Sequence, residues 1–220
     1  MVAPGAVLGG LVGCQGHLSA LAPAAAPAQA VSGLWWAMLT GSGVLFALVL
    51  ALFVWAARPS ERPRSAHGRR WIFWGAVVLP ALVLPPLVAW GLWVGEQRAT
   101  PRADALVVRV TARQWHWEFA YPQLQPGRAH RVLHLPGGRP VRLEITSADV
   151  IHSFWVPRLA GKLDALPGHV NVMYLDQLPA GRFSGQCAEF CGTDHTTMRF
   201  DTVVHAPAAF EAALAAEAAP

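Results

Sequence analysis

Two long apolar segments dominate the first half of the chain. Residues 34–57 and 71–94 contain no charged residue. At a rise of about 1.5 Å per residue, a helix of either length crosses the ~30 Å hydrocarbon core of a bilayer. Tryptophans cluster at the ends of both segments, as expected where a helix meets the membrane interface. The pattern predicts two transmembrane helices, the second kinked at Pro80, Pro85 and Pro86.

The segment between these helices, residues 58–70, carries five arginines against a single acid, Glu61. Short arginine-rich loops stay on the cytoplasmic side of a membrane. The charge therefore predicts a multi-pass membrane protein with a hairpin of two helices spanning residues 31–97. It places both termini, and everything after Val94, on the outer face.

From residue 98 the hydrophobic pattern changes from long apolar runs to short alternating ones. Apolar and polar residues alternate over residues 141–146, which is typical of a strand with one buried face. Proline and glycine separate this run from four other β-prone runs, at 106–111, 131–135, 171–175 and 200–204. The pattern predicts an all-β sandwich or barrel over residues 98–206, followed by a short helix or loose tail over 207–220.

Composition supports a membrane-attached protein, since 54% of the residues are hydrophobic and only 14% are charged. Residues 100–206 contain 11 Lys and Arg residues and 9 Asp and Glu residues, so the outer domain is nearly neutral. The basic balance of the whole chain arises partly from the cytoplasmic loop. It gives no reason to expect nucleic-acid binding.

The N-terminal segment, residues 1–30, resembles a signal followed by a linker. An apolar stretch ends in Leu-Val-Gly before Cys14, the pattern at which bacterial lipoproteins are cleaved and lipidated on the cysteine. Basic residues, which normally begin a secretory signal, are absent before Cys14. An Ala/Pro-rich tail with an unmodified cysteine is the alternative. Residues 20–30 are Ala/Pro-rich and predict a linker.

The segment from 187 to 198, C-A-E-F-C-G-T-D-H-T-T-M, concentrates the candidate chemistry of the chain. Thiolate, imidazole and thioether ligands favour copper over magnesium, calcium or manganese. The two cysteines could instead form a disulfide in an oxidising compartment, or bind zinc together with two histidines. A copper site with one thiolate leaves one cysteine unused, whereas two thiolates can bridge two copper ions. The residues alone leave these alternatives open.

Three motifs together resemble the CuA domain of cytochrome c oxidase subunit II: H-S-F-W-V-P at 152–157, K-L-D-A-L-P-G at 162–168, and the segment 187–198. The resemblance implies a cupredoxin fold, a Greek-key β-sandwich or barrel, for the outer domain. It implies a dinuclear copper centre bound by six residues, His152, Cys187, Glu189 through its backbone carbonyl, Cys191, His195 and Met198. In relatives, the side chain of the residue matching Glu189 reaches a magnesium ion shared with subunit I.

The resemblance also implies partners and a location. The aromatic run at 114–121 is similar to the family's stretch near the docking face, so Trp115 is the expected point at which electrons from cytochrome c enter. Oxidase subunit I, with other oxidase subunits, is the expected recipient, in a bacterial inner membrane. Cys14 and the residues after it resemble the lipoprotein type of subunit II. A C-x-x-C-H motif for fused haem c is absent, and no acid occurs between Glu61 and Glu96.

The expected function is electron relay from cytochrome c through copper to haem in subunit I of a proton-translocating oxidase, where oxygen is reduced. A copper-containing subunit of a nitric oxide reductase and a membrane-tethered copper-delivery protein are the alternatives. A disulfide-bonded scaffold domain would leave the histidines and the methionine unexplained.

Lys162, Asp164 and Gly168 are expected to form a bracing turn, and the remaining histidines of the outer domain carry no motif.

Overall fold

The computed structural model describes residues 14–58, 68–99, 101–102 and 104–217. The residues preceding Cys14, most of the arginine-rich loop (59–67) and the last three residues lie outside these ranges. The predicted cleavage motif and the greater part of the predicted cytoplasmic loop therefore stay predictions. The chain divides into two compact units, one formed by 33–97 and the other by 1–32 together with 98–220.

The first unit contains the two predicted apolar helices. Helix α1 spans Ala26–Ala57, and a second helical stretch consists of α2 (Gly68–Phe73), a π-helical turn (Trp74–Val78) and α3 (Leu79–Ala99). Both stretches are long and apolar enough to cross a membrane. Large apolar side chains along them are exposed, as expected for helices that face lipid. Helix α1 begins inside the segment predicted to be a linker, because alanine is the strongest helix former.

The second helix continues through its prolines. Leu79 donates its N–H to the carbonyl of Trp74, five residues earlier, which is the π-helical pattern. Pro80 follows directly and has no backbone N–H to donate. The π-helical turn therefore lies next to the position at which the α-helical hydrogen-bond pattern loses a donor. Pro85 and Pro86 lie inside α3 without ending it.

The outer unit is a sandwich of two five-stranded sheets, as predicted. One sheet has the order β3-β2-β1-β5-β8 and the other the order β4-β10-β9-β6-β7. Most neighbours are antiparallel, but β1 pairs with β5 and β4 with β10 in parallel. The strands are β1 Leu106–Arg113, β2 His116–Ala120, β3 Ala129–His130, β4 Leu133–Pro136, β5 Val141–Ser147, β6 His152–Trp155, β7 Leu163–Ala165, β8 Asn171–Leu175, β9 Gly181–Cys187 and β10 Arg199–His205.

The core of the sandwich follows from strand alternation. In β5, every second residue from Val141 to Ser147 is buried, which confirms the pattern read from the sequence. Trp117 and Phe119 of β2 meet Phe200 of β10 at ring-centroid distances of 5.5 and 5.3 Å. These aromatic contacts join the two sheets.

Both ends of the chain add to this core. The tail predicted as a helix or loose segment forms helix α4, Phe210–Glu217, and buries Phe210 and Leu214 against the sandwich. At the other end, Ala24 and Ala25 donate their N–H groups to the carbonyl of Arg158 at 2.8 and 3.2 Å. The segment before α1 is therefore attached to the outer domain by hydrogen bonds.

Candidate metal centre

One loop and one strand end bring the predicted ligands together. Strand β9 ends at Cys187, the chain passes through the loop 188–198, and β10 begins at Arg199. Cys187 donates its N–H to the carbonyl of Met198 at 3.0 Å and so closes the base of the loop. Ala188 donates to the carbonyl of Ser153 at 2.9 Å, which ties the loop to β6, where His152 is the first residue.

The ligand atoms form a compact cluster around the two sulfurs. The Sγ atoms of Cys187 and Cys191 are 3.8 Å apart, and both cysteines are free thiols. Cys187 Sγ lies 3.8 Å from His152 Nδ1, whereas Cys191 Sγ lies 3.6 Å from His195 Nδ1 and 3.7 Å from Met198 Sδ. Each sulfur therefore lies next to a different imidazole nitrogen, that of His152 for Cys187 and that of His195 for Cys191.

The spacing of these atoms fits a shared metal site. Two ligand atoms bound to one ion at about 2.0–2.3 Å with near-tetrahedral angles lie about 3.5 Å apart. The four distances between neighbouring donors, 3.6 to 3.8 Å, are close to that value. His152, Cys187 and Cys191 satisfy the geometric condition for holding a metal ion, since their ligand atoms all lie within 4.8 Å of one another. The group could bind copper, the ion that the donor types favour.

Burial makes ionisation of the Cys191 thiol depend on a nearby cation. Cys187, Cys191, His152 and Met198 are all buried, and His195 is half-buried. Burial, followed by the neighbouring Cys187 thiol, raises the pKa of the Cys191 thiol to about 12. Two thiolates side by side in this pocket would repel each other without a compensating charge. A metal cation supplies that charge and deprotonates the thiols on binding.

The carboxylate of Asp149 holds one of the imidazoles in place. His152 Nε2 lies 2.8 Å from Asp149 Oδ1, which orients the ring so that Nδ1 faces Cys187. Partial burial raises the pKa of Asp149, but hydrogen bonds from the Gln114 N–H, from His152 and from the Val150 N–H outweigh it and lower the pKa from 3.8 to about 2. The ionised carboxylate therefore stabilises the fold fully above pH 3.8, and this contribution is lost as the pH falls through about 2.

Asp149→Asn should weaken copper binding without unfolding the domain. A neutral amide accepts a weaker hydrogen bond from His152 and no longer favours the tautomer with a free Nδ1, so the ligand is less basic and less well oriented. Loss of such an outer partner typically weakens metal binding about 10- to 100-fold. Competition with a copper chelator measures the affinity. Asp201→Asn, an exposed aspartate in β10, is the matched control and should leave the affinity unchanged.

Two side chains from the β1–β2 turn reach the loop 188–198. The Gln114 side-chain amide and the Trp115 indole N–H both donate to the carbonyl of Cys191, at 2.8 and 3.2 Å. Gly192 follows that carbonyl with a φ of +122°, and a Cβ there would crowd both side chains at 3.1 to 3.2 Å. Glycine at this position therefore allows the tryptophan ring to lie against the loop.

Glu189 and Phe190 form the outward side of the loop. The backbone carbonyl of Glu189 lies 3.2 Å from Cys187 Sγ, where the family resemblance expects a carbonyl ligand. Its carboxylate is exposed and lies 3.7 Å from Lys162 Nζ, which also contacts Asp164 at 3.1 Å. Phe190 is 78% exposed and lies 5.8 Å from the His195 ring.

The sequence alone did not identify two residues that support the candidate metal centre, Asp149 and Gln114. Asp149 stands three residues before His152, a spacing from which an orienting carboxylate could have been inferred. Gln114 carried no signal beyond its position next to Trp115. Among the histidines without a motif, His134 and His205 form a stacked pair joined at 2.8 Å within the core of the domain, and Phe210 lies against the His205 ring.

Comparison with known proteins points to one family. Residues 124–206 match the family described as cytochrome c oxidase subunit II, periplasmic domain. The chain is 32% identical over 165 residues to cytochrome c oxidase subunit 2 of Alkalihalophilus pseudofirmus, covering 72% of this chain and 48% of that protein. It is 32% identical over 179 residues to the alternative cytochrome c oxidase subunit 2 of Bradyrhizobium diazoefficiens, covering 68% of this chain and 63% of that protein.

A solved structure is also similar, the periplasmic domain of subunit II of cytochrome oxidase from Bradyrhizobium japonicum. It has 32% sequence identity and a TM-score of 0.47, and the match covers 54% of this chain and 96% of that one. The chain spans about half the length of the curated relatives it matches. The family match and the curated relatives together support the cytochrome c oxidase subunit II family for this chain.

Proposed function

From the cytochrome c oxidase subunit II family match and the paired sulfurs, we propose that this chain is the electron-accepting subunit of a respiratory haem-copper oxidase. It takes electrons from cytochrome c on the outer face of the membrane and passes them to haem in subunit I, where oxygen is reduced to water. The observation that carries the proposal is the pair of free thiols 3.8 Å apart, each with its own imidazole nitrogen.

The proposed ligands of a dinuclear copper centre are the six residues whose donor atoms converge on the sulfur pair. When bound, this centre supplies one-electron storage between the donor and the haem. The six are His152, Cys187, Glu189 through its carbonyl, Cys191, His195 and Met198. The exposed Glu189 carboxylate, beside Lys162, is the proposed contact to a magnesium ion shared with subunit I, since carboxylate oxygens suit that ion.

The protein would keep this centre rigid and dry. Cys187 and Met198 are fixed by the backbone hydrogen bond between them, where β9 ends and just before β10 begins, and His152 is fixed by Asp149. Burial of both sulfurs, of His152 and of Met198 excludes water from these four proposed ligands. A site whose ligands are held by the β-sandwich in this way changes little in geometry when its charge changes by one, a property that favours rapid relay over copper delivery.

Trp115 is the proposed point at which electrons enter. Its half-buried ring lies on the β1–β2 turn and donates its indole N–H to the carbonyl of Cys191, the residue whose sulfur belongs to the site. One hydrogen bond therefore connects an aromatic ring at the edge of the domain to the backbone of a copper ligand.

Trp115→Phe should slow electron uptake without removing copper. Phenylalanine keeps an aromatic ring but loses the donor to Cys191, and in positioning-dependent reactions small losses of geometry cost about tenfold or more. Stopped-flow reduction of the assembled oxidase by reduced cytochrome c measures the rate. Copper content and the visible spectrum should stay normal. Trp155→Phe, a half-buried tryptophan on β6, is the control and should leave the uptake rate unchanged.

The identity of the terminal reaction is tested by turnover of the purified complex. Oxygen consumption driven by reduced cytochrome c supports the proposal. Reduction of nitric oxide without consumption of oxygen would instead assign the chain to a nitric oxide reductase. Release of copper to an acceptor apoprotein, with no turnover of either gas, would assign it to copper delivery.

A further inference from the structure

The segment that precedes helix α1 is part of the outer domain. Residues 14–25, which we call the strap, belong to the same compact unit as the β-sandwich, and so do the first residues of α1 up to Ser32. Ala25 is only 2% exposed and belongs to the hydrophobic core, and Ala28 in the first turn of α1 is also buried. The domain that carries the metal centre therefore includes the start of a helix that is long and apolar enough to cross a membrane.

Arg158 makes three hydrogen bonds to the strap. Its backbone carbonyl accepts the N–H groups of both Ala24 and Ala25, at 2.8 and 3.2 Å. Its side-chain Nε donates to the carbonyl of Ala22 at 2.8 Å. The guanidinium group also lies 5.6 Å from the centre of the ring of Phe183, a buried residue of β9. A cation over an aromatic face is attracted to it, so the ring helps to fix the side chain that holds the strap.

A short and well-ordered path connects Arg158 to a proposed copper ligand. Strand β6 begins at His152, and the chain reaches Arg158 shortly after this strand ends. The turn at this point is closed by hydrogen bonds, since Leu159 and Ala160 donate their N–H groups to the carbonyl of Val156 at 2.9 and 3.0 Å. Val156 is itself buried in the core. Arg158 therefore ties the strap to the strand that carries His152.

The second connection between the apolar helices and the outer domain is held less firmly. It runs from the end of α3 at Ala99 to the start of β1 at Leu106. Among its described residues, Arg102 forms an ion pair with Asp176 at 3.7 Å, and both side chains are 40% exposed. Exposed ion pairs hold a segment only weakly. The strap, with its three hydrogen bonds and its buried alanine, is therefore the firmer attachment.

We propose that Arg158 is a positioning residue, which fixes the outer domain to the start of α1 and so keeps the metal centre at a constant distance from its electron acceptor. This inference rests on the proposed function, because that distance matters only if the centre passes electrons to haem in subunit I. Electron transfer between sites that do not touch slows steeply as the distance between them grows. Release of the strap would therefore slow delivery to haem, although the copper ligands would stay intact.

The first test asks whether these contacts hold the strap. Arg158→Met removes the donor to Ala22 and the cation over Phe183, and Ala24→Pro removes the N–H that the carbonyl of Arg158 accepts. Hydrogen–deuterium exchange of the purified full chain should be about tenfold faster in the strap of both variants, because exchange follows local opening. Arg139→Met, an exposed arginine between β4 and β5, is the matched control and should leave the exchange unchanged.

The second test measures delivery to haem in the assembled oxidase. A photoexcited ruthenium complex donates one electron to the copper centre in a flash, and haem absorption is then followed. Transfer from copper to haem should be about tenfold slower in both variants, because a displacement of about 1 Å can cost that much or more where rate depends on position. Copper content, the electron paramagnetic resonance spectrum, the reduction potential of the centre and its reduction by cytochrome c should stay unchanged.

These unchanged properties distinguish positioning from stability, since a destabilised domain would lose copper. The proposal is wrong if the strap exchanges faster while transfer to haem keeps its normal rate. It is equally wrong if the strap exchanges no faster, or if both variants lose copper or the catalytic subunit during purification. The proposed function fails separately, if the unmodified chain binds no copper or the unmodified complex transfers no electron to haem.

Discussion

Under the proposed function, Cys187→Ser and Cys191→Ser are each expected to abolish copper binding and to stop turnover of the assembled oxidase. Each sulfur lies between an imidazole nitrogen and the other sulfur, at 3.6 to 3.8 Å, so neither can be replaced without losing contacts to both neighbours. A serine hydroxyl remains protonated at neutral pH and is a poor ligand for copper. Because loss of an outer partner alone costs about 10- to 100-fold in affinity or activity, loss of a bridging thiolate should cost more.

The measurements are copper content, the thiolate-to-copper absorption bands and oxygen consumption by the assembled complex. All three should fall to background in both variants. Cys14→Ser is the matched control, since Cys14 is exposed and belongs to no ligand cluster among the described residues. Its copper content and absorption bands should equal those of the unmodified chain. Normal turnover in either site variant would contradict the assignment of bridging sulfurs.

Gly185→Ala is expected to destabilise the outer domain strongly, although it adds only one methyl group. Gly185 of β9 pairs in register with Phe200 of β10, and the Phe200 ring lies directly over the glycine. An added Cβ would fall well inside contact distance of three ring carbons. Overpacking of this kind costs about 1–3 kcal/mol, and more where the neighbour cannot move. Phe200 cannot move freely, because it also contacts Trp117, Phe119 and Phe154.

Chemical denaturation of the copper-free chain measures the free energy of unfolding of the outer domain. Gly127→Ala is the control, because its added Cβ meets open space and only its φ of +77° opposes the change. Its expected cost is about 1 kcal/mol. The double variant Gly185→Ala/Phe200→Leu replaces the ring by a smaller side chain and should recover part of the lost stability. An effect of Gly185→Ala no larger than that of Gly127→Ala would show that the ring does not lie over the glycine.

Hydrophobic patterning predicted the overall architecture because the two units have different patterns, long uncharged segments in one and short alternating runs in the other. Two uncharged segments long enough for a bilayer have few alternatives, and both became helices. In the outer domain, strict alternation identified β5, and proline and glycine marked the turns around the other predicted strands. Strand β9 was not predicted, since its sequence, Gly-Arg-Phe-Ser-Gly-Gln-Cys, contains two glycines that weaken the strand signal.

The family motif, more than periodicity, identified in advance the residues whose donor atoms the structure brings together. His152 and Cys187 are 35 residues apart, and only the pairing of β6 with β9 brings them within 3.8 Å. The hydrophobic pattern within a short segment cannot predict such a contact between segments that are distant in sequence. The helix boundaries were less predictable, because alanine permits a helix to start at Ala26, before the membrane-spanning pattern begins.

The supporting contacts were the least predictable features. The bonds from Gln114 and Trp115 to the Cys191 carbonyl depend on how one turn folds over another. The docking of α4 likewise depends on contacts that Phe210 and Leu214 make with the sandwich, such as those of Phe210 with Tyr121 and His205. The sequence of an Ala/Glu-rich tail predicts a helix, but it does not predict which surface of the domain that helix covers.

The most direct test is metal analysis and electron paramagnetic resonance of the purified full chain after loading with copper under reducing conditions and reoxidation. We expect two copper ions per chain with one unpaired electron shared equally between them. A single copper ion with the spectrum of an isolated centre would contradict the dinuclear assignment. So would a chain that takes up no copper because Cys187 and Cys191 have joined in a disulfide.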